Sequence, residues 1–119
     1  MATEKFQGKT VNIDGKDYVI PPLALGQLRN GGMDLIKQHD AVAGEMAEAT
    51  RTGAQPRNGA YFELLDLRAK VIAMAFKRNY PDAEESLVLD GLDTANVNEL
   101  WLWVIGMSGF RPGEAKPGA

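Results

Sequence analysis

A strand–turn–strand pattern near the start of the chain constrains its fold more than any other feature. Lys9-Thr10-Val11-Asn12-Ile13 and Lys16-Asp17-Tyr18-Val19-Ile20 flank Asp14-Gly15. This dipeptide favours a two-residue type I′ turn, because both central residues of that turn need positive φ. The turn fixes the register, with Val11 opposite Tyr18 and Lys9 opposite Ile20. Side chains alternate along a strand, so Val11, Ile13, Tyr18 and Ile20 share one face while Asn12 and Asp17 take the other. An isolated hairpin is marginal in water, so the apolar face demands a cover. Pro21-Pro22 then ends the sheet, since proline offers no N–H to a ladder. The expected fold is α+β: an N-terminal β-hairpin packed on a bundle of three to four helices, in a single domain, as 119 residues allow.

Beyond the prolines, Leu25, Leu28, Leu35, Ile36, Val42 and Met46 follow helical spacing and form one stripe. Gly31-Gly32 interrupts it; two interior glycines cost about 2 kcal/mol relative to alanine, so a break or kink is expected there. Arg51 to Gly59, with Gly53 and Pro56, reads as a loop. Ala60 to Asn79 is the strongest helix. Glu63, Asp66, Lys70 and Lys77 make a narrow polar stripe in a surround of Tyr61, Phe62, Leu64, Leu65, Leu67, Val71, Ile72, Ala75 and Phe76. Such a helix belongs at the centre of a fold. Asp82 and Glu85 resemble a capping pair for a short helix, and Asn96 with Glu99 for a last one that runs to Met107 and closes at Ser108-Gly109. Residues 1–8 and the Pro/Gly-containing tail 111–119 are expected to be flexible flanks of a domain spanning 9–110.

The parts that enzymes require are missing. Without cysteine, disulfides and thiolate metal sites are excluded. His39 is the sole histidine; it stands between Gln38 and Asp40 and reads as a solvated helix residue. Ser86 and Ser108 lack a nucleophile-elbow context, and Gly31-Gly32 lacks the lysine of a phosphate loop. Capping accounts for the carboxylates Asp82, Glu84 and Glu85. No catalysis, cofactor or metal is therefore expected. Sixteen acidic residues against 13 basic ones give a net charge of −3, whereas nucleic-acid binders show a basic excess or stripe. The adjacent pair Lys77-Arg78 is explained by a helix C-terminus. No run approaches the roughly 20 apolar residues of a membrane span.

A binding role rests on apolar side chains that a core does not need. In the last helix, Val97, Leu100, Trp101, Val104 and Ser108 form a sensible core face. Asn96, Glu99, Trp103 and Met107 form a second stripe, which sets Trp103 among polar neighbours. Tryptophan and methionine are enriched at interfaces; the alternative is that Trp103 tucks under the hairpin or the tail. Arg68 stands opposite the polar stripe of its helix. There it must snorkel, pair with a carboxylate or face a partner.

The order of these pieces is more specific than any one of them. Tyr18-Val19-Ile20-Pro21-Pro22-Leu23-Ala24-Leu25-Gly26-Gln27-Leu28-Arg29 resembles the opening of small bacteriophage tail assembly chaperones. Ala75-Phe76-Lys77-Arg78-Asn79-Tyr80-Pro81-Asp82 resembles the end of their long helix, and Asn98-Glu99-Leu100 through Gly106-Met107-Ser108-Gly109 their closing one. The likeness covers residues 9–110; Gly31-Gly32 and the alanine-rich 41–49 stretch depart from the family's leucine-rich first helix. The resemblance implies a non-enzymatic protein of the infected host's cytoplasm, absent from the mature virion. Its partners would be the tape measure protein, whose apolar helix it shields, and the tail tube protein. The resemblance also implies a longer product made by frameshifting, or self-association. Trp103, Met107, Arg68, Met74 and Phe76 are the candidate partner-binding residues. Two other classes compete: a head–tail connector or tail adaptor retained in the virion, and a nucleic-acid-binding regulator.

Overall fold

The computed structural model describes residues 6–109. Strands β1 (Lys9–Ile13) and β2 (Lys16–Ile20) form the expected antiparallel hairpin, with Val11 opposite Tyr18 and Lys9 opposite Ile20. Asp14 and Gly15 both take positive φ, 57° and 85°, as the type I′ turn requires. Asn12 secures it: its Oδ1 accepts the Gly15 N–H at 3.2 Å and its Nδ2 donates to Asp17 Oδ1 at 3.0 Å.

The hairpin lays its apolar face on the helices. Ile13 and Ile20 are fully buried, and the Tyr18 ring packs 5.2 Å from Phe76 and 5.1 Å from Tyr80 between centroids. Asn79 stitches three backbone groups together at this seam. Its Oδ1 accepts the Phe6 N–H, and its Nδ2 donates to the carbonyls of Phe6 and Val19, all at 3.0 Å. Val19 N–H donates to Tyr80 Oη at 2.8 Å, and the Arg78 guanidinium lies 3.9 Å from the centre of the Phe6 ring. Phe6 thus has defined partners within the segment expected to be a flexible flank; residues 1–5 and the tail 111–119 lie outside the described residues. Gly8 runs so close to the end of β2 that a β-carbon on it would overlap the Ile20 carbonyl. Gly8→Ala is expected to cost about 1–3 kcal/mol of folding stability through the forced backbone shift; urea unfolding of the two proteins checks this.

After the prolines comes a short helix, α1 (Leu25–Gln27), and a wide turn over Leu28–Gly32 in which Gly31 has φ 113°. The chain breaks where the glycine pair predicts. The single stripe expected from Leu25 to Met46 is divided there: Ile36 and Val42 are buried, but Leu25 is 72% exposed because the turn rotates α1 out of phase. Helix α2 (Met33–Arg51) then runs antiparallel to α3 (Ala60–Phe76). Arg57, in the loop between them, pins both: Nε and Nη2 bind Glu45, and Nη2 also reaches Glu63 Oε1 at 2.6 Å. This hydrogen-bonded guanidinium holds the Glu45 carboxyl below its usual range.

Helix α3 is central, with β2, α2, α4 (Glu85–Gly91) and α5 (Thr94–Met107) around it. The larger core joins the hairpin, Leu23, Ile36 at the start of α2, the second half of α3, α4 and α5, whereas a smaller one of Val42, Ala60, Leu64 and Leu67 lies between α2 and α3 alone. Both expected caps differ. Glu84, not Asp82, occupies the cap position of α4 and makes no side-chain capping bond. Asp93 caps α5, accepting the Asn96 N–H at 2.8 Å; its short carboxylate sits one turn ahead of the Asn96–Glu99 pair and starts the helix earlier. Glu99 instead meets Lys9 of β1 at 3.4 Å.

Candidate partner-binding surface

Helix α5 buries Val97, Leu100, Trp101, Val104 and Ile105, the expected core face with Ile105 added. Its second stripe divides. Glu99 is drawn to the hairpin and Trp103 is half-buried against the larger core, while Met107, one turn on, stays 59% exposed. Ser108 Oγ accepts the Leu23 N–H at 2.9 Å. That bond brings the start of α1 beside the end of α5, so Leu25 and Met107 share one end of the molecule. Leu102 is also exposed, on an adjacent face of α5.

The remaining expected contact residues fare differently. Phe76 is 1% exposed, with its ring 4.7 Å from that of Tyr80. It is a core residue and is withdrawn from the surface, because the hairpin lies on the face of α3 that carries it. Met74 is half-buried, and its carbonyl accepts a hydrogen bond from Gln27 Nε2. Among the described residues Arg68 meets no carboxylate, yet it is well partnered: Nε donates to His39 Nε2 at 3.0 Å and Nη1 to Asn98 Oδ1 at 2.6 Å. Burial lowers the Arg68 pKa from its ordinary value.

His39 reverses its expected place in solvent. It is 5% exposed, with its ring centre 4.2 Å from that of Trp101. The helical phase that buries Ile36 and Val42 turns the residue between them inward as well. Burial first, and then the neighbouring Arg68 charge, lower its pKa, against the opposing bond from Asp40.

Sequence reasoning also missed three exposed apolar residues. Tyr61 and Phe62, counted in the apolar surround of α3, are at the surface together with Leu102. Two of the three carried a signal. Phe62 heads the four-residue row Phe62–Asp66–Lys70, and Leu102 falls in the row Asn98–Leu102–Gly106; both rows continue in polar or small residues. A separate open depression, lined by Ile13, Asp14, Glu84, Ser86, Leu87, Asp90 and Gly91, lies between the hairpin turn and α4. Among the described residues, no group of three or more histidine or carboxylate side chains is placed to hold a metal ion, and no helix is long and apolar enough to cross a membrane.

Two of the three stretches quoted for the family resemblance, 18–29 and 75–82, meet in space. Gln27 Oε1 accepts the Ala24 N–H at 3.0 Å while its Nε2 binds Met74, Arg78 Nη1 donates to the Pro22 carbonyl at 2.6 Å, and Asn79 and Tyr80 hold Val19. These residues fasten the hairpin and α1 to the end of α3. Comparison of the chain with protein-family models, curated proteins and solved structures finds no match.

Proposed function

We propose that this protein is a tail assembly chaperone of a long-tailed bacteriophage. It binds the apolar, helical tape measure protein in the host cytoplasm, helps to recruit tail tube subunits, and leaves before the particle is complete. The observation that supports this reading most is the meeting of Pro22, Gln27, Arg78, Asn79 and Tyr80 in one joint. Two resembling stretches far apart in sequence lie in one structural unit, which supports reading them together. Beside that joint, Leu25 and Met107 supply apolar side chains with large exposed area. Their burial against the apolar stripe of a helix would provide affinity without any reactive group.

Co-expression with the tape measure and tube proteins, followed by pull-down, tests the reading. Met107→Glu is expected to weaken tape-measure capture at least tenfold, as removal of an interface anchor does, with an unchanged circular dichroism spectrum. Met107 is the better probe than Trp103, whose packing on the core would confound the result. Undiminished capture by the variant, or stoichiometric recovery of the protein from purified particles, would overturn the proposal. The latter outcome would favour a retained connector.

A further inference from the structure

His39, Arg68, Asn98 and Trp101 join α2, α3 and α5, and the hydrogen bonds among them admit one protonation state. Arg68 Nε–H donates to His39 Nε2 at 3.0 Å. A guanidinium cannot accept, so Nε2 must present a lone pair. His39 Nδ1 lies 3.0 Å from Asp40 Oδ1; an ionised carboxylate only accepts, so Nδ1 carries the proton. The neutral Nδ1–H imidazole satisfies both contacts. The imidazolium satisfies one and meets the guanidinium donor to donor.

The groups facing the ring come from all three helices. Asp40 belongs to α2 and is largely exposed, so water screens its charge. Arg68 comes from α3 and is half-buried, within electrostatic reach of Tyr61 on the same helix. Asn98 and Trp101 come from α5 and are uncharged. Asn98 accepts a hydrogen bond from Arg68, and Trp101 has the Arg68 guanidinium carbon 5.8 Å from its ring centre. Arg68 therefore holds α2 and α5 at once.

We infer that this cluster is a proton-operated latch: the neutral His39 ring fixes α5 to α2 and α3, and protonation drives Arg68 away and loosens α5, the helix that carries Leu102 and Met107. The direction follows from burial, which together with the Arg68 charge lowers the His39 pKa from 6.5 against the bond to Asp40. The unfolded chain takes up its proton near pH 6.5, while the folded chain does so only at lower pH. Between those values the unfolded state binds more protons, so this contribution to stability is complete above about pH 6.5 and is lost as pH falls through the window. Within it, the ratio of folded to unfolded protein falls by up to about tenfold per pH unit.

A single histidine makes the test direct, because its ring resonances in NMR need no assignment by mutation. The expected results are an Nδ1–H tautomer at neutral pH, from the ring nitrogen shifts, and a titration midpoint below 6.5. Amide protection across Val97–Ile105, corrected for intrinsic exchange, is expected to fall several-fold from pH 7 to pH 5. His39→Gln can accept from Arg68 and donate to Asp40 but cannot take up a proton, so its α5 protection is expected to stay level over that range. Arg68→Gln is expected to raise the histidine midpoint. A midpoint at or above 6.5, an Nε2–H tautomer, or equal loss of α5 protection in His39→Gln would overturn the latch. If His39→Gln does not fold, the unaltered chain decides: a histidine that titrates with no change in α5 protection overturns it equally.

Discussion

Phe76→Ala is expected to lower folding stability by about 3–5 kcal/mol, the range for truncating a buried phenylalanine. The ring is 1% exposed and stands where three elements meet, against Tyr18 of the hairpin and Tyr80 beyond the end of α3. Truncation removes the transfer energy of the ring and two aromatic contacts, and it leaves a cavity that hairpin and helix cannot both collapse into. Small domains hold about 5–15 kcal/mol in total, so the variant would keep only part of its margin. Urea unfolding followed by tryptophan fluorescence measures the effect as a lower midpoint at unchanged slope. A loss under about 1 kcal/mol would mean that the ring does not fill the seam. The same variant separates folding from binding, since partner capture is expected to fall only in step with the folded fraction.

Asn79→Leu is expected to cost about 2–4 kcal/mol, although it replaces a polar residue with an apolar one of similar size in a buried place. The side chain is 3% exposed and serves the Phe6 N–H and the carbonyls of Phe6 and Val19. Leucine leaves all three without that partner, and each backbone group kept from water costs on the order of 1–3 kcal/mol. The sum stays below three full penalties because the Phe6 groups are near enough to the surface to recover water. A drop in melting temperature of about 10 °C or more is the expected readout. It should come with faster amide exchange in β2 than in α3. A leucine variant as stable as the parent would show that the stitch contributes nothing.

These two residues also mark where the sequence was legible and where it was not. The hairpin, its register and its turn followed from Asp14-Gly15 because turn chemistry is decided within four residues. The break at Gly31-Gly32 was legible for the same local reason. The burial of Asn79 was not, because its partners Val19 and Phe6 lie 60 and 73 positions away. An asparagine after a helix ordinarily faces water. His39 was misjudged alike: its neighbours Gln38 and Asp40 are polar, and its real surroundings, Arg68 and Trp101, come from other helices. Leu25 lost its place in the stripe because the left-handed turn at Gly31 shifts the helical phase, which spacing alone does not register. Among the candidate contact residues, Met107, the last residue of α5, kept its accessibility, whereas Phe76 had none to keep.

The exposed bend at 52–59 offers a handle for experiment. Its residues lie outside both cores; the Arg57 bridge to Glu45 and Glu63 foots it on both helices, and Thr52, Gly53 and Ala54 bond back to the last turn of α2. Doubling such a bend costs only about 0.6 kcal/mol of closure entropy. A fluorophore or affinity peptide spliced between Gln55 and Pro56 would therefore ride on the molecule with Arg57 and the Ala54–Ala49 bond untouched and the Leu25–Met107 end left clear.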